Sequence, residues 1–248
     1  KKENKKIIII SNSSKRKNET INRLPKLGFN KNYFKEVMTS GEIIWQSLKN
    51  RNHDYTKKIK EKCYHLFDKS NFGGKKYIDG LNNYTFVDSV DKADFILGCT
   101  TTPGLQTIDY IPFLKKALKN NIPFICANPD FETLDTSTNE LVICMGTIAE
   151  LYKNLGGEII TLGKPQNEIY VESLKKINNL NKSRIIAVGD SILHDIKGAN
   201  KFGIDSLFIT SGIHHSSFDS TKPEWNSNIN KIINLGIEPT FLCSNFQL

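Results

Sequence analysis

Three apolar runs in this 248-residue chain end in groups suited to a phosphate. Residues 7–10 lead into Ser11, Asn12, Ser13 and Ser14, hydroxyls and backbone N–H groups at the start of an expected helix and a ready cradle for an anion. The run EIITLG, 158–163, leads into Lys164 and Pro165, a cation held at a turn and able to neutralise an anionic oxygen. Residues 185–188 lead into Gly189 and Asp190, with Asp195 one turn further on. Hard oxygen ligands in this pattern suit Mg²⁺, which takes few protein carboxylates and keeps waters or phosphate oxygens in the rest of its shell. A phosphate cradle at Ser11 and Asn12, a lysine at Lys164 and a magnesium site at Asp190 and Asp195 make a phosphoryl-transfer centre.

Each piece also has an ordinary structural reading. Ser-Asn after a strand is commonly a helix cap, Gly-Lys-Pro a plain turn, and an acid after glycine a turn residue; Asp195 on its own reads as a cap of the helix that follows. Their order, each at the end of an expected strand, is what points to chemistry.

The elements that must position these groups follow from the hydrophobic pattern. Apolar β-rich runs alternate with helical periodicity, as in an α/β protein with parallel strands. The first group is a strand at 7–10, a helix over 15–26, a strand at 37–40 and a helix in GEIIWQSLKNR. The second has strands at 63–67, 84–89 and 93–100, a helix in IPFLKKALKNN and a strand in PFICANPD. Beyond the polar TLDTSTNE come a helix at 145–154, a strand at 158–163 and a helix in NEIYVESLKKINN. The strands RIIAVGD and DSLFITSG, with a helix through KGANKFG between them, close the series. Right-handed crossovers lay such strands into a doubly wound, Rossmann-like sheet whose ligands bind beyond the carboxyl ends. The stretch 55–143 repeats the alternation with its own strands, so it is expected to be an inserted α/β domain, leaving 1–54 and 144–248 as the core.

Composition removes several classes. A net charge of +8 and a pI near 9.1 permit attraction to anions. The lysines are spread along helical faces among abundant Asn and Ile, without an arginine-and-aromatic cluster, so no nucleic-acid partner is expected. No run approaches the roughly 18 apolar residues of a membrane span. The five cysteines lack C-x-x-C spacing and read as reduced thiols in a cytoplasmic protein. His214 and His215 point apart in a loop without a third ligand at zinc spacing. Cys63 and His65, on one face of an expected strand, read as core, as do Trp45 and Tyr170 on helices. The chain opens on Lys1 and its two methionines, Met38 and Met145, lie well inside it, so it reads as trimmed or truncated at its start.

These motifs resemble the haloacid dehalogenase (HAD) superfamily of aspartate-nucleophile phosphohydrolases, subclass IIA, whose α/β cap is inserted between the second and third motifs. IIIISNSSKR resembles the second motif, GKPQNEIY the third, and VGDSILHDIKGAN with LFITSG the fourth and its following strand. CANPDF at 126–131 is similar to an Asn-Pro-Asp segment of the subclass IIA cap, and TSGEIIWQSL at 39–48 also fits. The resemblance implies that Ser11 hydrogen-bonds the transferring phosphoryl group with Asn12 close by, and that Lys164 steadies the nucleophile and phosphate. It further implies that Asp190 holds Mg²⁺ directly or through water, that Asp195 completes or orients that shell, and that Gly189 lets the backbone approach.

The departure lies in the first motif, a strand ending in the nucleophilic Asp, for which only KKENKK precedes the first apolar run. Asp130 belongs to the cap segment and Asp54 to a polar helical region, so neither substitutes. Without the nucleophile no aspartyl-phosphate forms. Two readings follow: the nucleophile-less remainder of a Mg²⁺-dependent phosphatase on a small phosphorylated metabolite, expected to be inactive as given, or a non-catalytic HAD-like protein that binds a phosphate ligand or a partner chain. Thr100, Thr101 and Thr102 form a polar loop at a cap strand end, where substrate contacts would fall. A cap with its own sheet could pair with a copy of itself, so a homodimer is an expectation by analogy.

Overall fold

The computed structural model describes residues 5–70, 72–134, 140–175, 177, 181–218 and 225–245. It divides into two units, Lys1–Gly163 and Lys164–Leu248.

The first unit opens with β1 (Ile7–Ser11), α1 (Lys17–Arg23), β2 (Phe34–Thr39) and α2 (Ser40–Asn50). β1 and β2 run parallel, with Ser11 opposite Thr39 at their carboxyl ends. The helix expected over 15–26 is shorter, because Pro25 cannot continue it; a 3₁₀ turn takes over at Leu24–Leu27 and stops at Gly28, whose φ of 83° suits glycine. In α2 the Thr39 hydroxyl caps by accepting from Glu42 N at 2.9 Å, and the helix buries Ile43, Ile44 and Leu48.

Then come α3 (Asp54–Lys58), β3 (Lys62–Leu66), α4 (Phe72–Lys76), β4 (Thr85–Val87), β5 (Phe95–Gly98), α5 (Thr107–Lys119) and β6 (Phe124–Cys126). β7 (Glu132–Leu134), β8 (Leu141–Ile143), α6 (Met145–Asn154) and β9 (Ile159–Thr161) complete the unit. Five strands form one parallel sheet in the order β4-β3-β5-β6-β9. Every residue of β5 and β6 is buried, which is why their sequences read as unbroken apolar runs. Leu114 of α5 and Met145, Ile148 and Tyr152 of α6 pack into one core with Phe124. The sheet therefore runs past the edge expected at residue 143, since β6 pairs with β9 and α6 covers them. An Ile-rich strand reads the same whichever sheet takes it. β7 and β8 form an antiparallel hairpin that lies partly in the stretch expected to be polar loop.

The second unit holds α7 (Asn167–Leu174), β10 (Ile186–Gly189), α8 (Lys197–Phe202), β11 (Asp205–Ile209), α9 (His215–Phe218), α10 (Trp225–Asn234) and β12 (Phe241–Cys243). The end of the helix expected in NEIYVESLKKINN falls partly outside the described residues. β10, β11 and β12 pair in parallel in that order, over a core of Ile192, Ile196, Phe208, Phe218, Ile232 and Ile237. Tyr170 stacks on Phe202 with centroids 5.0 Å apart, as a packing residue does. Among the described residues no helix is long and apolar enough to cross a membrane. Cys63, Cys99, Cys126 and Cys144 are buried free thiols.

Candidate active site

In the second unit, the chain leaves β10 through a single widened turn. Ser191 O accepts from both Asp195 N (2.8 Å) and Ile196 N (3.2 Å), the second bond spanning five residues in a π-helical turn over Ile192–Ile196. This turn carries the Asp195 carboxylate back toward the strand end. Its Oδ2 accepts from Ser191 N at 3.1 Å and its Oδ1 accepts from Lys164 Nζ at 2.6 Å. The two side chains are only 14% and 13% exposed, so the pair is largely desolvated and each charge depends on the other. Gly189 must be glycine, because a Cβ there would lie 2.3 Å from Asp195 Cγ.

Asp190 is held from the other side. Its Oδ2 accepts from Ile213 N at 3.0 Å, and a Cβ on Gly212 would lie 2.1 Å from the same oxygen. Among the described residues that leaves Oδ1 of Asp190 as its oxygen for a ligand, whereas both oxygens of Asp195 accept hydrogen bonds. Among the described residues no three His, Cys, Asp or Glu side chains gather as a metal cluster. A single carboxylate supplemented by waters and phosphate oxygens is within what Mg²⁺ accepts. Lys164, Asp190 and Asp195 are thus three expected site residues on one loop cluster. Burial pushes the Tyr170 phenol pKa up, and the Asp195 charge adds to it.

In the first unit, residues 11–14 form a loop ahead of α1, not its first turn, because α1 begins only at Lys17. The serine hydroxyls compete for the backbone: Ser11 Oγ accepts from Ser13 N and Ser13 Oγ from Lys15 N, both at 3.2 Å. The start of α2 presses on this loop. Gly41 N donates to Ser13 O at 3.0 Å, and a Cβ on Gly41 would lie 1.9 Å from Ser14 O.

Asn12, expected beside the phosphate, lies against Asp130. It is 2% exposed, and its Nδ2 donates to Asp130 Oδ1 at 2.8 Å. Asp130 stands just beyond β6, where its own N–H donates to Asn128 Oδ1 at 3.2 Å. Gly163 is wedged into the same junction: a Cβ there would lie 2.6 Å from Asn12 Oδ1, 2.7 Å from Ser40 Oγ and 2.8 Å from Pro129 Cγ. The residue before Lys164 is therefore fixed by three loops at once.

A cavity of about 330 Å³ opens in this unit between Ser11, Ser13 and Lys15 on one side and Thr100, Asn128 and Asp130 on the other. Of the three threonines expected to meet substrate, Thr100 lines it. Thr101 Oγ1 donates to Ile143 O at 2.9 Å and Thr102 N to the Tyr110 hydroxyl at 2.9 Å, so both brace the loop. Burial, reinforced by Asp130, pushes the Cys144 thiol up to about 11, which keeps it protonated and unreactive at neutral pH. Glu19 lies outside every motif, whereas Lys15 belongs to IIIISNSSKR, and Asn128 and Asp130 to the CANPDF segment that follows a strand end.

Residues 161–232, which hold Lys164, Asp190 and Asp195, match the HAD-hydrolase-like family model. No curated protein sequence matches the chain. Among solved structures it is similar to a haloacid dehalogenase-like family hydrolase from Brucella suis 1330, at 25% identity and a TM-score of 0.79, over 98% of this chain and 83% of that one. A p-nitrophenyl phosphatase from Archaeoglobus fulgidus aligns at 19% identity and a TM-score of 0.65, covering 98% and 85% of the two chains. A glycerol phosphate phosphatase from Mycobacterium tuberculosis, solved in complex with magnesium, aligns at 17% identity and a TM-score of 0.65, covering 97% and 65%. The whole chain shares the α/β fold of these structures, and residues 161–232 carry the HAD-hydrolase-like match.

Proposed function

We propose that the chain carries the phosphate-handling and magnesium-handling parts of a phosphohydrolase centre for a small phosphorylated metabolite. The observation that carries this reading is the buried Lys164–Asp195 pair, 2.6 Å apart, which joins the turn before α7 to the loop that presents Asp190. In the first unit Ser11 is the hydroxyl donor for a phosphoryl oxygen, and in the second unit Lys164 is the cation for anionic charge. Asp195 is a positioning residue that aims Lys164. Asp190 is the residue to hold Mg²⁺, with Asp195 orienting its surroundings; when bound, the ion would polarise the phosphoryl group and offset its charge. Asn12 supports the Ser11 loop through Asp130. Residues 55–143 serve as the cap, with the substrate-facing groups on the loops beyond β5 and β6.

β1 ends in Ser11 with Asn12 next, and Asp130 accepts from Asn12, so among the described residues neither of these two strand ends is read as offering a nucleophilic aspartate. Residues Lys1–Leu248 alone are accordingly expected to bind phosphate esters without turning them over. The same observation favours the second reading, a non-catalytic phosphate-ligand or partner-binding protein. A preparation shown by mass spectrometry to begin at Lys1 should release no p-nitrophenol from p-nitrophenyl phosphate with Mg²⁺ above a Lys164→Ala control. Release above that control would overturn the non-turnover reading.

A further inference from the structure

A second cavity of the first unit lies at the amino-terminal ends of the sheet strands, opposite the loops beyond β5 and β6. About 440 Å³ in volume, it is lined by Arg51, by Lys60, Glu61 and Lys62 where β3 begins, by Thr85 at the start of β4 and by Asp94 just before β5. Arg51 closes α2 with a φ of 47°, a left-handed cap that glycine adopts at less cost, so its side chain invites an explanation of its own. That side chain is held in place. Its Nη2 donates to Ile59 O at 3.0 Å, and Cζ lies 5.5 Å from the centroid of Tyr84, whose hydroxyl donates to Leu48 O at 3.0 Å. Among the described residues Nε is buried without a hydrogen-bond partner, and no carboxylate lies within ion-pair distance of Arg51, Lys60 or Lys62. Asp94 Oδ2 accepts from a backbone group, Lys62 N, at 2.8 Å.

We propose that this cavity binds a small polyanion, a metabolite bearing two or more phosphate or carboxylate groups, held by Arg51, Lys60 and Lys62. A guanidinium offers paired donors to an oxyanion, and one already fixed by Ile59 and Tyr84 loses little freedom when it binds. The exposed lysines add point charges and Thr85 a hydroxyl. Because Glu61 and Asp94 share the rim, a single negative charge gains little there and several gain more, which selects for polyanions. The volume lies within the roughly 300–1,000 Å³ usual for ligand pockets. None of these residues belongs to the serine loop or to the Lys164, Asp190 and Asp195 cluster, so the site stands apart from the phosphohydrolase reading.

Calorimetric titration of Lys1–Leu248 in Mg²⁺-free buffer, with tripolyphosphate and with citrate, tests this. Tripolyphosphate should bind at one site with a Kd below about 1 mM, and citrate should compete for it more weakly. Arg51→Gln should weaken tripolyphosphate about tenfold or more. Because Arg51 also braces Ile59, the double variant Lys60→Gln, Lys62→Gln, at exposed positions, is the second measure and should weaken it about fivefold. Lys164→Ala should leave the affinity within about twofold of the parent, less than a tenfold step of 1.4 kcal/mol. Absence of saturable binding of both probes, an affinity unmoved in the double-lysine variant, or binding lost in Lys164→Ala overturns the proposal.

Discussion

Asn12 and Asp130, 118 positions apart in the chain, share one hydrogen bond of 2.8 Å that ties the end of β1 to the loop beyond β6. It lets Asn12 brace the two loops against each other. Asn12→Ala should therefore lower stability by about 1.5–3 kcal/mol, the range for a hydrogen bond to a charged group. Urea unfolding followed by circular dichroism measures it, and a loss under about 0.5 kcal/mol would contradict the bracing role.

The Lys164–Asp195 pair should be strongly coupled. Removing either partner leaves the other charge largely buried, at a cost of roughly 3 kcal/mol, while removing both costs less than the sum. A double-mutant cycle of Lys164→Met and Asp195→Asn, read by chemical denaturation, should give a coupling of at least about 1 kcal/mol. Additive effects would mean that the two side chains do not hold each other.

Gly163 tolerates no side chain, since a Cβ would meet Asn12, Ser40 and Pro129 at 2.6–2.8 Å. Gly163→Ala should cost about 1–3 kcal/mol through overpacking and should displace Lys164, weakening phosphate binding as well. Unchanged thermal unfolding and phosphate affinity would show that the junction has room to give.

His65 sets a pH dependence. Among the described residues both ring nitrogens are buried without hydrogen-bond partners, the ring stacks on Phe67 at 4.2 Å, and burial lowers its pKa from 6.5 to about 4. The unfolded chain therefore binds a proton below pH 6.5 that the folded chain refuses. The His65 contribution is complete above pH 6.5 and is lost as pH falls from there toward 4, by about 2 kcal/mol between pH 6.5 and 5. Urea unfolding at those two values should show His65→Leu losing less stability than the parent, and equal losses would rule the assignment out.

The elements carrying chemistry were legible in the sequence because each is an apolar run stopped by a residue of special type: Ser11 after β1, Lys164 soon after β9, and Asp190 after β10. The buried strands β5 and β6 were legible for the same reason. What the sequence hid is long-range or geometric. Nothing local tells that β9 joins β6, that Asn12 turns to Asp130, or that the turn after Gly189 widens to bring Asp195 back onto Lys164. The strands β7, β8 and β12 are three residues each, too short for an alternating pattern to stand out from loop.

The most direct test is the magnesium dependence of phosphate binding to Lys1–Leu248 and to Asp190→Asn, measured by titration calorimetry. The account predicts that Mg²⁺ tightens phosphate binding about tenfold or more in the parent, equivalent to about 1.4 kcal/mol, and has no such effect in Asp190→Asn. Phosphate binding that ignores Mg²⁺ in the parent, or that keeps its full Mg²⁺ response in the variant, would contradict it.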